Sequence, residues 1–545
     1  MSEAHSSRRA SPVIPHLLLR PAILAAAALA LLLLVRHTEL IQGQAADVPT
    51  SILLVLALFV GTVLHDTAWC RSLLGVMTKP RSLALIALVA FVALALGSYM
   101  VFGTRPASPD EQIQLFQARL FAQFRVFASY PPSLFDRIIP LAYQNTGILV
   151  SPDGRAMSVY WPGWALLMTP FVWLGAPWLL GPAMASLGLY LIGRLTSLLV
   201  GASAAAIAVL LTVTSGAFVV TGMGLYPSGG YLTLNLLYAW LLLRGGRRGV
   251  VLAGFVGGLA LNLNNPVPHT LFAIPWLVWL AADRTRRRQL LWLAIGYAPW
   301  LAVSWAWLLA TMSLHASAPG STGNFWQGRL PLLVSIPSLD SAFFRFWELI
   351  RLWIWSAPGL LVLAFLAWRQ QTRGSGAWIL GVAFGLTVAL YVFFPASQGL
   401  GWGARYYQSA WGALPILAAI LLVRPDADTL RRIALTAALA GLVLVVPLQL
   451  AYARDTAQGF FGGPTSVDGG SASIHALASR GVNLYFINFN GSEDSSITFE
   501  TDTSLAGKLV LVSYGPVADQ EIVDRHFPGA RLMIQNSFGS GYARP

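Results

Sequence analysis

Uninterrupted apolar stretches, each near the length needed to cross a lipid bilayer, recur along most of this chain. They fall near 21–35, 50–65, 82–102, 178–195, 203–222, 228–244, 249–265, 268–283, 289–312, 347–368, 377–395, 408–424 and 433–452. About 20 apolar residues in helical form cover the roughly 30 Å hydrocarbon core, so the pattern predicts an α-helical polytopic membrane protein with about thirteen transmembrane helices. The tryptophan-rich segment 164–177, bracketed by Pro162-Gly163 and Ala176-Pro177, predicts a re-entrant or interfacial helix instead of a further crossing.

The polar residues between the runs give an orientation. Arg71, Lys79 and Arg81 follow the second run, and basic groups follow the sixth, eighth, tenth and twelfth: Arg244, Arg247 and Arg248; Arg284, Arg286, Arg287 and Arg288; Arg369 and Arg373; Arg424, Arg431 and Arg432. Basic loops stay in the cytoplasm, which puts the N-terminus inside. A full crossing at 164–177 would invert every later cluster. Arg8, Arg9 and Arg20 precede the first run, and Arg36 and His37 follow it where a small-residue cleavage site would stand. That layout predicts an uncleaved signal-anchor.

Three segments then lie on the extracytoplasmic side: a loop at 103–163, a loop near 313–346 and the tail from 453. The chain thus divides into a membrane domain, 1–452, and a tail, 453–545. In the tail a Gly- and Ser-rich linker, 458–472, leads to a short helix over Ser473–Arg480 closed by Gly481. Strands are expected over Leu484–Phe489 and Leu509–Tyr514, and a helix over Ala518–Phe527 ended by Pro528-Gly529. These elements make a small extracytoplasmic α/β domain.

Composition agrees: 56% of residues are hydrophobic and 10% charged, against roughly 25% charged in soluble domains. Membrane lipid is therefore the solvent of most of the chain. The net charge of +13 is dispersed among short inter-span clusters, which argues for topology and against nucleic acid as a partner. The lone cysteine, Cys70, excludes an internal disulfide framework and cysteine-rich metal sites. No Walker-type loop, His-Glu-x-x-His or serine-hydrolase elbow occurs, which speaks against an ATP-driven pump or a membrane protease.

Candidate chemistry begins at Ser108-Pro109-Asp110-Glu111-Gln112, just beyond the third run. An acidic pair at the mouth of a membrane cavity suits a general base for an acceptor hydroxyl, or a divalent cation; Asp110 reads equally as a helix N-cap. Ile113, Phe116, Leu120, Phe121 and Phe124 recur at helical spacing with Gln112, Gln114, Arg119 and Arg125 between them, the pattern of an amphipathic helix on the membrane surface. Asp136 and Asp153 each stand beside an arginine, Arg137 and Arg155, as in solvated ion pairs. Tyr160-Trp161-Pro162-Gly163-Trp164 reads as an interfacial aromatic anchor or as a substrate platform.

A second stretch, Gln398 to Tyr407, sets Arg405 behind glycines between the eleventh and twelfth runs. A guanidinium there suits a phosphate headgroup, either a substrate's or that of bulk lipid. Asn262, Asn264, Asn265 and His269, among Pro266 and Pro268, either line a cavity or satisfy freed backbone groups. No internal repeat is evident, which weighs against a secondary transporter.

Taken together, the Asp110-Glu111 pair opening the first long loop, Tyr160 to Trp164 closing it, and Gly403-Ala404-Arg405-Tyr406-Tyr407 with Pro415 resemble the GT-C superfamily of polytopic glycosyltransferases. The likeness is to bacterial members near family 39, with the protein O-mannosyltransferases and lipid A aminoarabinose transferases. In the tail, Leu505 to Lys508 and Phe527 to Arg531 look like the small outer domain of some bacterial members.

The resemblance implies a GT-C-like fold in a bacterial inner membrane, a polyprenyl-phosphate sugar donor, an extracytoplasmic acceptor (glycan, lipid or protein) and inversion at the anomeric carbon. Catalysis would fall to Asp110 as base, with Glu111. Substrate contacts would fall to Arg405, Tyr406, Tyr407, Arg119, Asn265, His269 and Trp161. Enzymes of this type are regarded as needing no catalytic metal, so no cofactor is assigned. Asn264-Asn265-Pro266 and Tyr226-Pro227-Ser228 depart from the arginine and histidine common at those places. The competing readings are a transporter or flippase of lipid-linked glycans, which should carry charges deep within spans, and a glycan polymerase.

Overall fold

The computed structural model describes residues 47–77, 83–316, 335–394, 404–461, 477, 481–489 and 494–545. The expected first run, the Gly- and Ser-rich stretch from 462 and all but one residue of the expected Ser473–Arg480 helix lie outside them. The apolar runs from residue 50 onward coincide with helices, several of them broken: Asp47–Leu64, Leu83–Gly97, Leu180–Val200, Ala202–Val213 with Gly216–Met223, Ser228–Arg244, Arg247–Leu261, Val267–Ala282, Arg287–Ala316, Leu339–Ile354 with Leu360–Arg369, Gly376–Leu390, Ala413–Leu422, and Asp428–Leu444 with Val446–Phe461. The last runs on past 452, where a domain boundary was expected.

The count of thirteen is not confirmed. Among the described residues six helices are long and apolar enough to cross a membrane, or seven if the pair Ala202–Val213 and Gly216–Met223, bent by 68°, is one span. Several others are short: at about 1.5 Å per residue, a helix of 10–16 residues covers roughly 15–24 Å of a roughly 30 Å core. What stands is a multi-pass helical membrane domain with interrupted helices.

The interruptions satisfy one another. Backbone freed at a helix break inside a bilayer must find partners within the protein. Ala217 N donates to Trp355 O at 2.7 Å, and Ala357 N donates to Ser215 Oγ at 2.8 Å. Gln449 Nε2 reaches Ile354 O at 3.2 Å and Gln408 Nε2 reaches Ala217 O at 3.3 Å. Two breaks far apart in sequence thus form one polar node in an apolar bundle. Two ion pairs are also buried within the protein: Arg345 pairs with Glu348 at 2.6 Å and Arg351 with Asp47 at 2.8 Å, all four side chains largely buried.

On one side of the bundle the loop following the Leu83–Gly97 helix builds its own structure. Ser108 caps the helix Pro109–Ala122: its side chain accepts from Glu111 N, and Pro109 occupies the first turn. Strands β1 (Ala128–Ser129), β2 (Ile148–Val150) and β3 (Arg155–Ser158) form an antiparallel sheet in the order β1-β3-β2. The Gly163–Trp173 helix follows, 11 residues long and too short to cross, as expected of this segment. Trp164 at its start is wholly buried, its Nε1 donating to Leu225 O at 2.7 Å, so it is no interfacial anchor.

The tail forms a four-stranded sheet of β4 (Leu484–Ile487), β5 (Leu509–Val512), β6 (Arg531–Asn536) and β7 (Gly539–Ala543), in the order β5-β4-β7-β6. The β4–β5 pair is parallel, and the helix Pro516–His526 follows β5. The last two strands carry little strand signal, since β6 is mostly exposed and β7 is glycine-rich. Gly539 holds φ +143, and a Cβ there would meet Phe486 O at 1.9 Å, which is why the β4–β7 register needs glycine.

The tail and the loop share one apolar core. Ile113, Phe116 and Leu120 of the loop helix pack with Leu484, Phe486 and Phe499 of the tail, while Leu115 and Ala118 on its other side pack with Trp164 and Met168. The Pro109–Ala122 helix is therefore buried on both faces, not laid on a membrane surface as its amphipathic pattern suggested. The outer neighbour that its apolar stripe needed is the tail domain.

Candidate active site

The capped helix sets the geometry. Because Ser108 is the N-cap, the Asp110 carboxylate is released from capping and stands in the first turn, where a helix dipole favours an anion. Asp110 Oδ1 accepts from the Tyr160 hydroxyl at 2.5 Å, and Arg405 Nη1 lies 3.4 Å from Asp110 Oδ2. Three elements distant in sequence meet here: the loop helix, the segment after β3, and the Arg405–Tyr407 turn.

Arg405 is held by that turn. Ala404 takes a left-handed conformation, φ +46, and starts the 3-10 helix Arg405–Tyr407. The guanidinium lies 4.3 Å from the centre of the Tyr226 ring and 5.8 Å from that of Tyr406, a cation–π sandwich that keeps the charge out of bulk water. Its side chain is 14% exposed, and its Nε has no hydrogen-bond partner among the described residues. Among the described residues this guanidinium has one long ion pair and an unused donor, which suits it to a further anion.

Glu111, next to Asp110 on the same helix, is buried. Its carboxylate accepts from Ala107 N, in the turn before the helix. Burial pushes its pKa up to about 7; the Ala107 N–H and the Arg405 charge act in the opposite direction, and the Asp110 charge adds to the rise. Tyr160 is likewise raised, by burial first and then by the adjacent Asp110, so it keeps its proton and donates it to the carboxylate.

The other expected contacts are dispersed. Tyr406 stacks on Tyr391 with ring centres 5.0 Å apart and borders the site through Arg405; Tyr407 is buried edge-on to Tyr391. Trp161 follows Tyr160, its backbone N–H bonded to Asn264 O at 3.1 Å. The next links are Gly163 N to Asn262 O and Trp164 N to Leu263 O, and a Cβ on Gly163 would meet Asn262 O at 2.6 Å. Asn265 Oδ1 accepts from Val267 N, and the Tyr231 hydroxyl donates to Asn265 O, so these groups satisfy a helix break.

Arg119 and His269 lie away from Asp110. Arg119 Nη1 donates to Phe499 O at 2.8 Å, tying the loop helix to the tail. His269 sits between Asn235 and Tyr297, each 2.7 Å away, within the helical bundle. Of the flanking acids, Asp153 pairs with Arg155 at an exposed 2.8 Å as expected. Arg137 does not pair with its neighbour Asp136; it reaches Asp519 in the tail instead.

Two site residues have no sequence signal of their own. Tyr160 lies in an aromatic run that fits an interfacial anchor or a substrate platform, and Tyr226 in a departure from the family pattern; neither has a local signal pointing to Asp110 or Arg405. Among the described residues no group of three or more His, Cys, Asp or Glu side chains converges as metal ligands would.

No protein-family model and no curated protein matches this chain. Solved structures share its fold. A crystal structure of ArnT from Cupriavidus metallidurans bound to undecaprenyl phosphate is similar over 84% of this chain and 99% of that one, with a TM-score of 0.56 at 12% identity. The same protein in its apo state is similar over 82% of this chain and 89% of that one, with a TM-score of 0.51 at 14% identity. The likeness shows that this chain shares the fold of these ArnT structures.

Proposed function

We propose that this chain transfers a sugar from a polyprenyl-phosphate carrier to an acceptor hydroxyl on the extracytoplasmic side of a bacterial inner membrane, with inversion at the anomeric carbon. The observation that carries this reading is the meeting of Asp110 and Arg405 at 3.4 Å on the side of the bundle that bears the loop and tail domains. A carboxylate beside an undersatisfied guanidinium provides a base and a phosphate cradle within one site. The fold it shares with a protein crystallised with undecaprenyl phosphate supports a lipid-phosphate ligand.

In this reading Asp110 takes the acceptor proton as the acceptor oxygen attacks, and the polyprenyl phosphate leaves with its new charge on Arg405. One displacement inverts the anomeric carbon. The positive-inside pattern supports a cytoplasmic N-terminus and an extracytoplasmic site. The test is transfer from a labelled polyprenyl-phosphate sugar by the purified chain in nanodiscs. Asp110→Asn keeps size and fold but loses the base, and turnover should fall about 100- to 10,000-fold. Wild-type turnover in the folded variant would remove Asp110 from catalysis and this reading with it.

A further inference from the structure

We infer that the Asp110–Arg405 pair is a resting contact which the donor phosphate exchanges, and that Tyr160 is the positioning residue that holds the base in place through the exchange. The inference rests on the function proposed above and adds how the site is switched on.

Asp110 is the proposed base, yet its Oδ2 is occupied by Arg405 in this structure. The two contacts on Asp110 are unequal. Tyr160 gives Oδ1 a close hydrogen bond at 2.5 Å, whereas Arg405 stands off Oδ2 at 3.4 Å. The Arg405 Nε is unused among the described residues, so the cation is poised for a better anion. A phosphate offers several oxygens with fork-matching geometry, and a lone long carboxylate contact does not.

Phosphate on Arg405 neutralises the cation and sets a negative charge beside Asp110. With its cation taken by the phosphate, Oδ2 is free to face the acceptor. Tyr160 keeps Oδ1 fixed, so the carboxylate does not follow the arginine. In the step itself the acceptor O–H bond breaks with its proton going to Oδ2, the acceptor oxygen bonds the anomeric carbon, and the bond from that carbon to the phosphate oxygen breaks with its electron pair passing to the phosphate. Donor binding thus precedes base action. The charged and titratable groups around Asp110 are Arg405, Tyr160, Tyr226 and Tyr406 from other elements and Glu111 on its own helix.

Two measurements test this. The first needs no turnover: binding of undecaprenyl phosphate to nanodisc-embedded wild type and Asp110→Asn. Exchange predicts about 3- to 10-fold tighter binding by the variant, because the competing anion is gone; equal or weaker binding, or no binding to either protein, overturns the exchange. The second is the split of kcat from KM in transfer. Tyr160→Phe should lower kcat about 10-fold or more with donor KM within about 2-fold. An unchanged kcat, or a donor KM that moves as far as kcat, would leave Tyr160 as packing, and undecaprenyl phosphate binding by the same variant shows whether it is folded. If the wild type binds undecaprenyl phosphate but transfers no sugar, the proposed function fails while the binding arm still decides the exchange.

Discussion

Arg137 of the loop and Asp519 of the tail, 382 residues apart, form a buried ion pair at 2.5 Å. The guanidinium also donates to Val512 O at 2.9 Å and Ala518 O at 3.1 Å and lies 4.7 Å from the centre of the Tyr514 ring. Asp519 accepts further from Ser513 Oγ and Tyr514 N. A buried charge pair is tolerable only when its remaining donors and acceptors are filled in this way.

Breaking that pair should separate loop from tail. Arg137→Ala leaves Asp519 buried without its cation, at a cost of about 3–5 kcal/mol. The Arg137→Met/Asp519→Leu double variant removes both charges and should recover much of the loss. Thermal unfolding of the detergent-solubilised protein checks this; a double variant no better than the single would show that the packing, and not the unpaired charge, sets the cost.

Glu111 makes stability depend on pH. Its carboxyl rises from an ordinary 4.5 to about 7 on burial, so the folded protein holds this proton more tightly than the unfolded chain. Its stabilising contribution is full below about pH 4.5 and is lost as pH rises through about 7. Glu111→Gln keeps an oxygen for the Ala107 N–H and cannot ionise. The variant should flatten the melting temperature between pH 4.5 and pH 8 and be at least as stable as wild type at the upper end. An undiminished slope would place the titration elsewhere.

Arg405 should dominate phosphate affinity. Arg405→Ala is expected to weaken undecaprenyl phosphate binding about 10-fold or more, since a charge-assisted contact is worth roughly 1.5–3 kcal/mol. Arg405→Lys should restore only part, because an ammonium lacks the fork and stacks less well on Tyr226. Titration of the lipid into nanodisc samples reads this directly. Equal affinity in all three would make Arg405 an anchor for the aromatic turn alone.

Orientation is open to a simple assay. Reporter fusions after Arg288 and after Arg454 should report the cytoplasm and the exterior respectively, following the basic clusters. Fusions reporting the same side would break the order of crossings.

The sequence by itself determined where the helices are and that they belong in a membrane. Between its breaks a helix in lipid satisfies its own backbone, so the helices of the bundle announce themselves as apolar runs without reference to their neighbours. It also placed β4, β5 and the helix after β5, whose local patterns are strong. Only the tertiary structure decided which polar groups meet. The amphipathic stripe of the Pro109–Ala122 helix marked an apolar surface in need of cover, but Phe116 finds Phe499 of the tail, and Arg119 finds the Phe499 carbonyl, across contacts that local periodicity does not encode. The same holds for Ser215 with Ala357, for Arg137 with Asp519, and for Tyr160 and Arg405 with Asp110. Hydropathy registers the environment of one residue at a time, whereas a hydrogen bond or ion pair is a property of two, and a folded bilayer protein forces buried polar groups to find each other wherever the chain brings them.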